Sequence, residues 1–146
     1  MFVCNMSPWY CCVCVRSSAN ACLHGIGLHV LIQVGSCSNL ERLTIRDSPG
    51  LVTDRILHAL GDHCPNLTHL NIALGAPHGK GRRANCRLWR PTNDKVTDAG
   101  LSALTTCRRL EECDLTGQQG FGNAGVIELA TCCSNLKLLC LNGNKR

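Results

Sequence analysis

The sequence predicts an α/β fold: a short solenoid of about four strand–helix repeats, with a parallel concave sheet and helices on the convex side. Three observations predict it. The pattern Cys-x-x-Leu-x-x-apolar-x-apolar occurs four times, led by Cys37, Cys64, Cys107 and Cys133. Those cysteines are spaced by 27, 43 and 26 residues. A helical stripe of apolar residues follows each of the first three copies. Fixed-period self-similarity of this kind is the signature of stacked supersecondary units, each too small to bury its apolar face alone.

The first 21 residues stand outside the pattern. Met1 to Val15 is apolar and holds Cys4, Cys11, Cys12 and Cys14. A secretory leader calls for a basic residue ahead of the apolar run, and here there is none, while Asn5, Ser7 and Pro8 interrupt it. Residues 1–21 are therefore expected to form an irregular N-terminal segment, with the repeat domain spanning 22–146. In residues 22–36, Leu28, Leu31, Ile32 and Val34 fall mostly on one helical face and are expected to cover the open end of the first repeat.

Each repeat then opens on a strand. Leu43/Ile45, Leu70/Ile72, Cys113/Leu115 and Leu139/Leu141 alternate with neighbours of mixed polarity, and period two means a strand with one face buried. The helix of the first repeat is Thr53 to Leu60. Thr53 is placed to cap the first turn, Asp54 sits where the helix dipole favours an anion, and Ile56, Leu57 and Leu60 form one stripe. Thr97 to Leu104 repeats this arrangement, and Asn123 to Leu129 repeats it again. The chain stops at Asn144-Lys145-Arg146, after the fourth strand, which reads as a fragment or shortened product of a longer repeat protein.

Composition agrees. A chain of 146 residues accommodates one domain. It is 45% hydrophobic but only 3% aromatic, which suits layers of similar aliphatic side chains. Thirteen cysteines would suggest a disulfide scaffold in a small secreted chain. The odd count and the phase of the repeat cysteines with leucines point instead to small buried hydrophobes in a reducing compartment; a cytoplasmic or nuclear location is expected. No apolar run reaches the length of a membrane span, so no membrane partner is expected.

One strand and one helix in about 26 residues is a leucine-rich repeat. The details resemble the cysteine-containing leucine-rich repeats of F-box proteins and of related chains without an F-box. Val52-Thr53-Asp54 and Val96-Thr97-Asp98-Ala99-Gly100-Leu101 match that consensus closely, and the likeness covers residues 37–146. At the consensus cysteine after the strand the chain instead has Ser48, Gly75, Gln118 and Asn144, so the hydrogen bonds that stack this turn are expected to be uneven. No F-box is visible. The resemblance implies a protein-binding module that recognises substrates, or acts as an adaptor, in cullin-based (SCF-type) ubiquitin-dependent degradation.

Parallel stacking would place the outward strand residues on one concave surface. By alternation these are Arg42, Thr44 and Arg46; His69, Asn71 and Ala73; Glu112, Asp114 and Thr116; Leu138, Cys140 and Asn142. The surface is basic at the first repeat and acidic at the third, which suits an oriented polar protein partner.

A second candidate lies in an insert of about 17 residues near 75–91. It carries Lys80, Arg82, Arg83, Arg87, Trp89 and Arg90. The simple reading is a solvated loop. The functional alternative is an RNA or an acidic partner held by the cations, with the indole stacking on a base. If the alternative is right, deleting residues 78–90 will lower the salt concentration at which the protein leaves heparin; equal retention removes it.

Other chemistry is not supported. Gly120-Phe121-Gly122-Asn123-Ala124-Gly125 matches the dinucleotide-binding spacing, but Gly125 aligns with Gly100 as a repeat position and no acidic residue follows to hold a ribose. His58, His63, Cys64 and His69 are close in sequence, yet the helix and strand periods send them in different directions, so no metal is expected. No catalytic constellation is legible, and neither an enzyme nor a cofactor is expected.

Overall fold

The computed structural model describes residues 12–16, 20–24, 38–46, 50–74 and 92–144. In chain order the elements are β1 (Cys12–Arg16), β2 (Asn20–His24), β3 (Arg42–Arg46), α1 (Asp54–His63), β4 (His69–Asn71), α2 (Asp98–Ala103) with a 3-10 turn (Leu104–Thr106), β5 (Glu112–Asp114), α3 (Asn123–Cys132) and β6 (Leu138–Cys140). The strands form one sheet in the order β2-β1-β3-β4-β5-β6. β3 to β6 are parallel, and the crossovers from β3 to β4, β4 to β5 and β5 to β6 carry the three helices. The fold is α/β and compatible with a short solenoid-like arrangement.

The alternating strand pattern sets the register. Leu43, Leu70, Cys113 and Leu139 lie side by side across the four parallel strands. The first three are at most 1% exposed. They pack with Leu40, Leu67 and Leu110 before the strands, Ile45, Ile72 and Leu115 after them, and Ile56, Leu57, Leu60, Leu101, Leu104 and Leu129 from the helices. Every layer of this core repeats the same kind of side chain, so few aromatics are needed to fill it.

The repeat cysteines end each helix and begin the approach to the next strand. The backbone N–H groups of Cys64, Cys107 and Cys133 donate to the carbonyls of Leu60, Leu104 and Leu129, each at 2.9 Å. The Cys107 thiol then reaches back to Leu60 O (3.8 Å) and Cys64 O (3.7 Å), and the Cys133 thiol to Leu104 O and Cys107 O, both at 3.7 Å. A thiol is small enough to be buried and still weakly donates to the second lone pair of carbonyls that already accept a backbone N–H at the helix end. That explains why this position is cysteine rather than leucine.

Burial raises the thiol pKa values. Desolvation, with the neighbouring Cys133 thiol, pushes Cys107 up to about 11; desolvation also raises Cys113 and Cys133. The unfolded chain would ionise these thiols near the ordinary value of 9.0, while the folded chain keeps them protonated. Above pH 9 the unfolded state therefore binds fewer protons, and stability falls with rising pH. We expect the melting temperature to decline between pH 9 and about 11. We also expect maleimide to label Cys107, Cys113 and Cys133 only after denaturant is added.

The helix N-termini are joined across segments by aspartates. Asp54 accepts from the backbone N–H of Thr97 (2.8 Å) and from its hydroxyl (2.7 Å). Asp98 Oδ1 accepts from Gly122 N (2.8 Å) and Gly125 N (3.0 Å). Thr97 Oγ1 in turn accepts from Ala99 N at 3.3 Å. The expected cap from Thr53 is not made: its hydroxyl is buried without a hydrogen-bond partner among the described residues. Thr97 owes its bonded hydroxyl to Asp54 in the segment before it.

A buried amide pair stacks the turns after the strands. Asn93 Nδ2 donates to Val52 O (2.7 Å) and to Gln118 Oε1 (2.9 Å), and Gln118 Nε2 donates to Ile72 O (2.6 Å). Asn93 and Gln118 also form a parallel bridge. The partner of Gln118 is thus Asn93, which follows the insert; Gly75, at the aligned position of the second repeat, lies outside the described residues.

The start of the sheet differs from expectation. β1 pairs antiparallel with β3, placing Val13 opposite Ile45 and Val15 opposite Leu43, and β2 pairs antiparallel with β1. Two strands therefore stand within and beside the segment read as irregular. The helical face proposed at Leu28, Leu31, Ile32 and Val34 lies outside the described residues, as does Cys37.

Candidate functional site

The sheet face turned away from the helices carries two polar rows. The first runs Arg42, His69, Glu112 and Leu138, and the second Thr44, Asn71, Asp114 and Cys140. Both follow from register: once Leu43, Leu70 and Cys113 point into the core, their neighbours point outward. Arg42, Glu112 and Leu138 are exposed, while Thr44, His69, Asn71, Asp114 and Cys140 are half-buried. Thr116 and Asn142 extend the face beyond the strand ends, and Ala73 is buried. The strand position of Arg46 is opposite Cys12, and its side chain lies outside the described residues. So do Lys80, Arg82, Arg83, Arg87, Trp89 and Arg90, with the whole insert from 75 to 91.

Hydrogen bonds set several of these groups in place. Thr68 Oγ1 donates to Glu41 O at 2.8 Å, which leaves its lone pairs for the Nδ1–H of His69 at 2.8 Å. This orients the ring so that Nε2 lies 3.5 Å from Glu112 Oε1. Asn71 Oδ1 accepts from Ala73 N (3.1 Å), and Asp114 Oδ1 accepts from Thr116 N (3.0 Å). These two Asx turns end their strands alike. Behind the row, the Lys137 ammonium lies 2.9 Å from Glu111 Oε2, and that hydrogen bond lowers the Glu111 pKa.

The face is graded. A cation at β3 gives way to an imidazole, then to the carboxylates of Glu112 and Asp114, and then to Leu138. Adjacent strands are about 4.8 Å apart, so the grade from basic to apolar extends over roughly 15 Å, enough to read direction in an extended segment of a partner.

One sequence motif has a structural explanation here. The backbone N–H groups of Gly122 and Gly125, which a dinucleotide would need for its pyrophosphate, donate to Asp98. A side chain at Gly120 would collide with the carbonyls of Asp94 and Val96. The close glycine spacing therefore serves segment-to-segment contact. Among the described residues no three His, Cys, Asp or Glu side chains are placed to hold a metal ion, and no helix is long and apolar enough to cross a membrane.

No family model matches the chain, and a search of curated proteins returns no match.

Proposed function

We propose that this chain is a leucine-rich-repeat interaction module that holds a polar protein segment on its concave sheet face. The graded row Arg42–His69–Glu112–Leu138 carries the proposal. Its groups sit on strands backed by a packed core, so little ordering is left for binding to impose. Repeat arrays offer such continuous surfaces to proteins more readily than to small ligands. The resemblance of Val52-Thr53-Asp54 and Val96-Thr97-Asp98 to F-box-type repeats extends the reading: the bound protein would be a substrate or a subunit of a cullin-based ubiquitin ligase.

The test exchanges the two ends of the grade. Affinity capture with the wild-type chain is compared with capture by an Arg42→Glu/Glu112→Lys double variant, with the proteasome inhibited. Both side chains are exposed, so the variant is expected to melt like wild type. We expect it to lose the proteins that wild type enriches, and those proteins to be ubiquitinated or ligase subunits. An unchanged set would rule out the face; a lost set without either feature would keep the face and remove the ligase assignment.

A further inference from the structure

We propose that Cys14 and Cys22 form a peroxide-sensitive thiol pair, which oxidises to a reversible disulfide across the β1–β2 hairpin. The register carries the proposal. β1 and β2 are antiparallel, and Cys14 lies directly opposite Cys22. Residues opposed in this way have Cα atoms about 4.5 Å or about 5.5 Å apart, according to whether they exchange hydrogen bonds. Both spacings fall within the range of about 4.4–6.8 Å that a disulfide spans. The link therefore needs no change of register.

The other cysteines of the described residues are placed less well. Cys12 lies opposite His24, one diagonal step from Cys22, and diagonal neighbours are about 7–8 Å apart, beyond that range. Cys140 is on β6, four strands along the sheet from β1, so roughly 19 Å away. Cys64, Cys107, Cys113 and Cys133 are buried in the core behind the sheet.

The neighbouring positions favour the reactive form of the thiol. Val13 and Val15 lie opposite the core residues Ile45 and Leu43, which places Cys14, opposite Thr44, on the other face. Arg16 lies opposite Arg42 on that face, and Cys12 opposite Arg46. The same-face positions around Cys14 on β1 to β3 thus hold Arg16, Arg42 and Arg46, and they hold no carboxylate. Cations stabilise a thiolate, the nucleophilic form. Cys140 has the opposite setting: it lies beside Asp114, and a carboxylate disfavours a second negative charge.

Hydrogen peroxide is the oxidant. The Cys14 thiolate attacks one peroxide oxygen, and the other leaves as hydroxide, which takes a proton to become water; Cys14 becomes a sulfenic acid. The Cys22 thiol then attacks the Cys14 sulfur. The S–O bond breaks, the hydroxyl leaves with the Cys22 proton as water, and the S–S bond forms. Two thiols and one peroxide give one disulfide and two waters, and a dithiol reductant reverses the link.

The test is peroxide titration of the intact, reduced chain, followed by alkylation of the remaining thiols and peptide mass mapping without reduction. We expect Cys14–Cys22 to be the main linked pair, returned to thiols by dithiothreitol, lost in Cys14→Ser and in Cys22→Ser, and kept in Cys12→Ser. Arg42→Glu/Arg46→Glu should slow its formation near neutral pH at least ~3-fold. The same titration in urea should scatter the links over several cysteines. A main link from Cys14 or Cys22 to any other cysteine overturns the proposal. So does a Cys14 sulfenic acid that never resolves, the same selectivity in urea, or a rate indifferent to the arginines.

Discussion

Leu70→Ala will destabilise the protein by roughly 2–5 kcal/mol, the range for deleting a buried leucine where the surroundings relax only in part. Leu70 is 1% exposed and lies between Leu43 and Cys113 in the central layer. Neither neighbour can fill the gap without leaving its own strand register. Domains are stable by only about 5–15 kcal/mol, so this one truncation removes a large share of the total. Thermal or urea unfolding is the readout. An unchanged midpoint would mean that Leu70 is not between those two strands.

Gly61→Ala will also destabilise, by roughly 1–3 kcal/mol, although the same change in an isolated helix would stabilise by about 1 kcal/mol. The sign reverses because Gly61 is where α1 meets the end of α2. A Cβ there would run into the Ala103 carbonyl oxygen and lie 2.9 Å from Thr106 Oγ1. The obstacle is backbone, so it cannot rotate away; the helices must separate. Separation would also stretch the hydrogen bond that Thr106 Oγ1 donates to Gly61 O, now 2.7 Å. A raised melting temperature for Gly61→Ala would show that the two helices are not in contact there.

These predictions locate what was legible in the sequence. The rows Leu43–Leu70–Cys113–Leu139 and Cys64–Cys107–Cys133 could be read because each depends only on phase, and the core demands the same residue type at the same phase. The outward row Arg42–His69–Glu112 came with it, since alternation leaves no choice of face. Asp54 does lie in the first turn of its own helix, as its position implied, but its carboxylate also binds Thr97, 43 residues on. Nothing local marks a bond of that reach. Asn93 was missed because the insert displaces it from its phase. β1 and β2 were not read as strands although Cys12-Val13-Cys14-Val15-Arg16 alternates and only three residues separate Arg16 from Asn20. Cysteine is a weak marker of a strand face, so the period-two pattern there carries little hydrophobic contrast.

The site itself was only half legible. Residue identities and facing direction followed from alternation, but the fixing of the His69 ring by Thr68, and its approach to Glu112 on the next strand, required coordinates. The paired Asx turns of Asn71 and Asp114 likewise needed the backbone that each side chain caps.

The claim that partners are held on the concave face is tested most directly by site-specific photo-crosslinking. A benzophenone side chain is placed in turn at Glu112, exposed on the sheet face, and at Asp62, exposed on α1. Irradiation in cells should yield a discrete crosslinked species from position 112 and none from position 62. The same species from Asp62, or none from Glu112 while capture by the wild-type chain persists, would contradict the account.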